Sequence, residues 1–183
     1  MTVKQKDALD KVIAALLDDC RESYLAIAQD AISLGYMPAI KGVREDYADF
    51  TKSKIKRTIL KINTNPDYRW IAMKFYALPA YAGIFQEAVD ARLAYWNKLG
   101  YTARCFGCGK CDGTHGYPCT LSDGEKGFLC GYGVIPLPTF RPENVQEVQA
   151  ALRVQDAFFV ENSGTKSGNQ SVFTCATMRM LIY

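Results

Sequence analysis

The N-terminal part of the chain repeats apolar residues with the period of a helix. Between residues 9 and 32, apolar side chains recur at steps of three and four, which places them on one stripe of an α-helix. Gly35 follows as a stop signal, and Pro38 lies just beyond it. The pattern predicts one long amphipathic helix, with Cys20 as a small apolar residue on its buried stripe.

A strand-like pattern follows a polar segment. Residues 41–57 are polar and charged, and we expect them to form a loop. Residues 57–63 are rich in residues that favour strands, residues 63–67 have turn composition, and residues 68–77 form an aromatic-rich second strand. The sequence therefore predicts a β-hairpin over these residues.

Two more helices and a distinct tail are predicted in the rest of the chain. Pro79 opens a helix that keeps its apolar period until Gly100. Residues 128–136 indicate a short strand, and Pro142 starts the third helix. The polar, Gly- and Ser-rich start of residues 162–183 indicates a flexible or edge-strand tail.

This order of elements predicts an α+β fold, with a small antiparallel sheet packed by about three helices. Residues 1–161 form the single predicted domain. Within it, residues 101–133 are expected to be an inserted Cys- and Gly-rich, metal-binding loop that resembles a zinc ribbon.

Composition limits the classes of protein that fit. A chain of 183 residues with 49% hydrophobic and 22% charged residues can bury its own core and is neither disordered nor collagenous. Its net charge of +3 does not by itself argue for nucleic-acid binding. We find no export signal and no apolar run long enough to span a membrane, so the sequence predicts a cytoplasmic protein with reduced thiols.

The cysteines are concentrated in the glycine-rich segment. Five of the seven cysteines and the only histidine lie between residues 101 and 133, with more than half of the fourteen glycines. A metal ion is the usual substitute for an apolar core in a segment of this size. The candidate ligands are Cys105, Cys108, Cys111, Cys119, Cys130 and His115.

Cys105 and Cys108, with Gly109 after them, resemble the knuckle of zinc-ribbon proteins. Two residues between the thiols allow a tight turn to present both sulfurs to one ion, and the glycine allows that turn to close. A tetrahedral zinc site needs two further ligands. The predicted zinc ligands are Cys105, Cys108, Cys119 and Cys130, with Cys111 and His115 as competitors.

The same run also resembles the bacterial ferredoxin motif, in which closely spaced cysteines precede a more distant fourth. The resemblance covers residues 105–119 only. It departs from the motif because proline precedes Cys119 here, whereas in ferredoxins proline follows the fourth cysteine. An iron–sulfur cluster is therefore the alternative cofactor, and the third interpretation is that the thiols bind no metal.

The single histidine limits catalytic mechanisms. His115 lies among glycines, and the sequence indicates no rigid partner that would orient it for nucleophilic catalysis. We therefore assign no catalytic residue and do not favour an enzyme.

Two other patterns bear on partners. Four basic residues within six precede the predicted hairpin and either contact phosphates or form a solvated strand entry, which is commoner. The aromatic residues after residue 67 are expected to form core or to line a small-molecule pocket.

The sequence thus predicts a zinc protein that binds a small molecule or another protein. The alternatives are a nucleic-acid-associated zinc protein and an iron–sulfur or thiol redox protein. The four basic residues that precede the predicted hairpin are Lys52, Lys54, Lys56 and Arg57.

Overall fold

A computed structural model describes most of the chain. Within the described residues the chain forms four α-helices, a five-stranded antiparallel sheet and a two-stranded ribbon. This confirms the predicted α+β fold class. The described residues are 1–16, 18–41, 46–65, 69–100, 115–121 and 123–163.

The N-terminal helical stripe is divided between two helices. These are α1, Val3–Ala14, and α2, Asp18–Ser33, so the prediction of one continuous helix is wrong. At the break, the Arg21 guanidinium donates hydrogen bonds to the carbonyl oxygens of Ile13 (3.3 Å) and Leu16 (3.0 Å), and the Ile13 oxygen also accepts one from the Leu16 N–H (3.2 Å). The apolar period continues across the break because both helices contact the same sheet.

Two other helices complete the helical set. They are α3, Gly83–Lys98, and α4, Val145–Glu161, which follows a 3₁₀ turn at Pro142–Asn144. The prediction that Pro142 starts the third helical segment is confirmed. The helix α3 begins at Gly83, later than the predicted Pro79. Before it, the ring of Tyr81 packs against that of Phe75, with 5.6 Å between the ring centroids.

The main sheet has the strand order β1-β2-β3-β4-β7, with every neighbouring pair antiparallel, and β5 and β6 form the separate ribbon. The strands are β1 Met37–Lys41, β2 Tyr47–Lys52, β3 Arg57–Asn63, β4 Trp70–Met73, β5 Gly116–Thr120, β6 Lys126–Cys130 and β7 Ile135–Pro136.

The predicted hairpin is confirmed as β3 and β4, with Leu60 opposite Met73. The loop predicted before it is wrong, since β2 lies there. Only alternate residues of β2 face the core: Ala48 and Phe50 are buried, while Asp49 ion-pairs with Lys61 on β3 (3.0 Å). The strand therefore looks polar when it is considered outside the sheet.

The ribbon joins the core through its inward face. The strand predicted over residues 128–136 is divided between β6 and β7, and β5 had no strand prediction. Tyr117 on β5 is fully buried, and its ring centroid lies 4.8 Å from that of Phe75.

The insertion at 101–133 and the tail at 162–183 stay predictions, because residues 101–114 and 164–183 lie outside the described part. Within the described ranges, no helix has the length and apolar character needed to cross a membrane.

Replacement of Gly116 by alanine tests the packing of the ribbon. A Cβ atom at Gly116 would overlap the Phe128 ring and lie 2.5 Å from the Leu129 carbonyl oxygen, which is backbone and cannot easily move. We expect Gly116→Ala to lower the free energy of unfolding by roughly 1–3 kcal/mol in urea titrations. Gly133→Ala is the matched control, since its Cβ would meet nothing within 4 Å. Equal stability of the two variants would contradict the packing described here.

Candidate functional site

A cavity of about 330 Å³ lies where the start of β3, the residues after β4 and the segment after β6 meet. Four of its lining side chains are lysine or arginine, and no lining residue is acidic. Its volume lies at the lower end of the range of small-molecule sites. The lining residues are Lys56, Arg57, Thr58, Lys61, Lys74, Tyr76, His115, Gly131, Tyr132, Gly133 and Val134.

The strand register places two of these cations, Lys61 and Lys74, on one face of the sheet. Leu60 pairs with Met73, and the ladder continues because the Lys74 N–H donates a hydrogen bond to the Ile59 carbonyl oxygen (2.9 Å). Lys74 thus faces Ile59, two residues along β3 from Arg57 and from Lys61. Side chains alternate between the faces of a strand, so Lys61 and Lys74 share one face. A β-bulge in β3, between the partners of Phe50 and Thr51, interrupts this alternation, and Arg57, opposite Lys52, lines the cavity from the end of the strand beyond the bulge.

Lys74 is the buried member of this group, with 7% of its surface exposed. Its Nζ atom lies 5.9 Å from the centroid of the Phe159 ring, and the Arg57 guanidinium lies 5.8 Å from the same centroid. Burial, with a smaller contribution from the charges of Arg57 and Lys61, lowers the pKa of Lys74 to about 8; the Cys130 thiol acts in the opposite direction.

The cavity has few acidic counter-charges. Lys61 forms an ion pair with Asp49 (3.0 Å). Among the residues that the structure describes, no carboxylate forms an ion pair with Lys56, Arg57 or Lys74. The cavity is therefore strongly positive while Lys74 is protonated.

Tyr117 fixes the backbone on both sides of Lys74. Its hydroxyl donates to the Met73 carbonyl oxygen (3.5 Å) and accepts a hydrogen bond from the Phe75 N–H (3.4 Å). Complete burial raises the pKa of Tyr117 well above its usual value, so this hydroxyl stays protonated over the working pH range. Tyr117 of the ribbon thus fixes the backbone orientation at Lys74, and with it the direction of the Lys74 side chain.

The run of basic residues predicted as a group is divided in the structure. Lys52 points towards α4, where it forms an ion pair with Asp156 (2.8 Å). Lys54 is exposed on the turn after β2. Lys56 and Arg57 line the cavity, so half of the run belongs to the site.

The two described zinc candidates lie on opposite faces of the ribbon. Cys130 pairs with Gly116 and Cys119 with Gly127, three positions apart, and side chains alternate between the faces. Cys119 packs against the core, and burial raises the pKa of its thiol. The structure thus does not bring these two sulfurs together.

The other predicted ligands do not complete a cluster within the described residues. His115 lines the basic cavity, with its ring 6.0 Å from that of Tyr76 and 5.5 Å from that of Phe158. Cys105, Cys108 and Cys111 lie outside the described part. Among the residues that are described, no group of three or more His, Cys, Asp or Glu side chains is placed to hold a metal ion. The four-cysteine zinc site stays a prediction.

Sequence reasoning missed Lys61 and Lys74 as functional candidates. A signal was present in both cases: Lys61 follows Arg57 on the same predicted strand, and Lys74 interrupts an otherwise apolar run from Trp70 to Tyr76. Only the pairing of β3 with β4 shows that these positions converge. Tyr76, one of the aromatic residues expected in the core or in a pocket, is buried and its side chain contributes to the lining of this cavity; the small-molecule pocket stays a prediction.

The chain has no match among protein-family models, and no curated protein or solved structure matches it at a significant level. Its function is therefore to be inferred from the side chains around the cavity.

Proposed function

We propose that the protein is a binding module for a small anionic ligand, which occupies the basic cavity. The observation that carries this proposal is the buried Lys74, which shares the cavity with Arg57 and Lys56 while none of the three has an acidic partner in the described structure. A buried charge without a counter-ion destabilises a folded protein. A bound anion supplies that counter-ion, and perturbed groups of this kind concentrate at functional sites.

The cavity favours a compact anionic group. Arg57 presents a planar guanidinium that can form two parallel hydrogen bonds with a phosphate or carboxylate, whereas Lys61 and Lys74 supply point charges on the same face. A volume of about 330 Å³ accommodates a small metabolite. We therefore assign a phosphate- or carboxylate-bearing small molecule as the ligand class.

A nucleic acid is the competing ligand. Lys56, which lines the cavity, and Lys54, two residues before it, are both exposed, and a polynucleotide could extend from the cavity across them. Against this, Lys52 is held by Asp156, and the cavity is closed enough to bury Lys74 almost completely. The two ligands differ in salt dependence, because a polynucleotide releases many counter-ions when it binds.

Calorimetric titration with pyrophosphate tests the proposal. We expect one site per chain, and we expect Arg57→Gln to weaken the affinity by about 10- to 100-fold, since one charge-assisted contact is lost. Lys54→Gln is the matched control and should leave the affinity unchanged. The proposal fails if pyrophosphate does not bind, or if a single-stranded oligonucleotide binds far more tightly with a steep dependence on salt.

Replacement of Lys74 by methionine separates function from stability. The pKa of Lys74 is about 8 in the folded protein against an ordinary 10.5. Below pH 8 the folded state carries the full cost of the buried charge. Between these pH values the unfolded chain binds the proton and the folded protein does not, so a rise in pH stabilises the wild type. We expect Lys74→Met to raise the free energy of unfolding at pH 7 by roughly 1–3 kcal/mol, with the gain disappearing towards pH 10.5.

Urea unfolding at pH 7 and pH 10, with and without pyrophosphate, measures both effects. Pyrophosphate should stabilise the wild type but not Lys74→Met. Lys61→Met is the matched control: it removes the partner of Asp49 and should destabilise the protein. A Lys74→Met variant that is less stable than the wild type and is still stabilised by pyrophosphate would contradict the role of Lys74.

The predicted zinc site is the second part of this proposal, and the cytoplasmic location expected from the sequence belongs with it. Its support is the knuckle spacing of Cys105 and Cys108. The opposite orientation of Cys119 and Cys130 makes their contributions separable. The site would hold the glycine-rich segment against the ribbon in a structural role.

Elemental analysis of the purified protein tests the metal. We expect about one zinc per chain and no visible absorption, whereas iron together with a visible band would identify the iron–sulfur alternative. Cys105→Ser and Cys108→Ser should lose the metal, and Cys20→Ser, on α2, should keep it. Unchanged zinc content in both knuckle variants would refute the assignment.

Two further variants decide the remaining ligands. Loss of zinc in both Cys119→Ser and Cys130→Ser would show that the ribbon rearranges around the ion. Loss in only one would leave Cys111 or His115 as the fourth ligand.

A further inference from the structure

We propose that Lys74 is an amine nucleophile that forms an imine with a small aldehyde or ketone, whose phosphate or carboxylate group is held by the other basic residues of the cavity. The inference rests on the anion-binding function proposed above and assigns to it a class of reactive ligand. Three features carry it: the position of the amine, the cations that share its cavity and the burial of its side chain.

The position of Lys74 suits a ligand with two functional groups. Arg57 and Lys61 line the same cavity as Lys74, and they lie on either side of Ile59, the residue of β3 opposite Lys74. A ligand whose anionic group is held by either residue would present a neighbouring carbonyl carbon to the Lys74 amine. The anion thus fixes the ligand, and the amine meets its reactive carbon.

The surroundings of Lys74 favour the neutral amine, which is the nucleophilic form. Desolvated lysines next to other cations are the usual nucleophiles for imine chemistry. Lys74 has this environment, with 7% exposure, the Phe159 ring at 5.9 Å and no acidic residue in the cavity lining. The lowered pKa of Lys74 agrees with it, since about a tenth of the side chain is neutral at pH 7, far more than for an exposed lysine.

The backbone on both sides of Lys74 is held in place. The Lys74 N–H is bonded to Ile59, and the Tyr117 hydroxyl contacts Met73 and Phe75. A nucleophile positioned in this way meets a bound carbonyl group without a large loss of conformational freedom.

The reaction is balanced without an oxidant or reductant. The lone pair of Lys74 Nζ forms a bond with the carbonyl carbon, and the C=O π electrons move to oxygen, which takes up a proton. The carbinolamine then loses its hydroxyl group and the nitrogen-bound proton as water. One amine and one carbonyl compound yield one imine and one water molecule, and the imine can be hydrolysed back to both.

Reductive trapping with borohydride tests the inference, because hydride adds to the imine carbon and leaves a stable secondary amine. The probes are glyoxylate, which carries a carboxylate, glycolaldehyde phosphate, which carries a phosphate, and uncharged glycolaldehyde. We expect mass spectrometry of the digested protein to locate the adduct on Lys74, at least about 10-fold enriched over exposed Lys54 for one or both anionic probes. The anionic probe that labels Lys74 more efficiently identifies the anionic group of the ligand.

Two controls make the result specific. Pyrophosphate should protect Lys74 from labelling, and uncharged glycolaldehyde, which the basic residues cannot hold, should label Lys74 less efficiently than the better anionic probe does. Lys74→Arg retains the positive charge, so it should still bind pyrophosphate but form no adduct in the cavity, whereas Lys54→Arg should be labelled at Lys74 like the wild type.

The outcomes separate this inference from the anion-binding function. If pyrophosphate binds but Lys74 is labelled no more than Lys54, the imine chemistry is wrong and the binding function stands. If pyrophosphate does not bind, the binding function fails, and labelling of Lys74 that pyrophosphate does not prevent overturns the inference as well. The mapping of the adduct in the wild type decides the matter even if Lys74→Arg does not fold.

Discussion

The hydroxyl group of Tyr117 connects the two sheets of this protein at the point where Lys74 leaves the backbone. It donates to the carbonyl oxygen of Met73, the last residue of β4, and accepts from the Phe75 N–H just beyond that strand. Without this hydroxyl, the Phe75 N–H would lose its partner in the interior, which is unfavourable. The ring of Tyr117 packs against Phe75 and Tyr76, so the ribbon is bound to the core by both packing and hydrogen bonds.

This arrangement explains how a lysine comes to be buried in an aromatic environment. Met73 and Phe75 point their side chains into the core, and alternation along the strand directs Lys74 to the other face, where Phe159 of α4 lies. The charge of Lys74 is costly without a counter-ion, and in the proposed function a bound anion would offset that cost. Stability and binding are therefore opposed at a single side chain.

The helix α4 packs against the sheet beside the same region. Its Asp156 accepts hydrogen bonds from the Tyr36 hydroxyl (2.9 Å) and the Lys52 amine (2.8 Å), and its Gln155 accepts one from the Ala77 N–H (3.1 Å). These contacts neutralise Lys52 and leave Arg57, its partner on β3, available to the cavity. Asp156 of α4 thus removes Lys52 from the basic residues that are available to the cavity.

The sequence by itself determined the α+β class, the hairpin of β3 and β4, the helical stop at Gly35 and the start of the third predicted helical segment at Pro142. Each follows from local period, turn chemistry or backbone geometry, as the positive φ of 90° at Gly35 illustrates. Only the tertiary structure decided the break between α1 and α2, where Arg21 caps carbonyl groups eight and five residues earlier, and the existence of β2, whose polar residues find their partners on β3. The basic cavity is likewise tertiary, because Arg57, Lys61 and Lys74 converge only through the register of two strands and Lys52 is withdrawn only by α4. Periodicity records which face a residue occupies, whereas the partner on that face depends on pairing between segments that are distant in the chain.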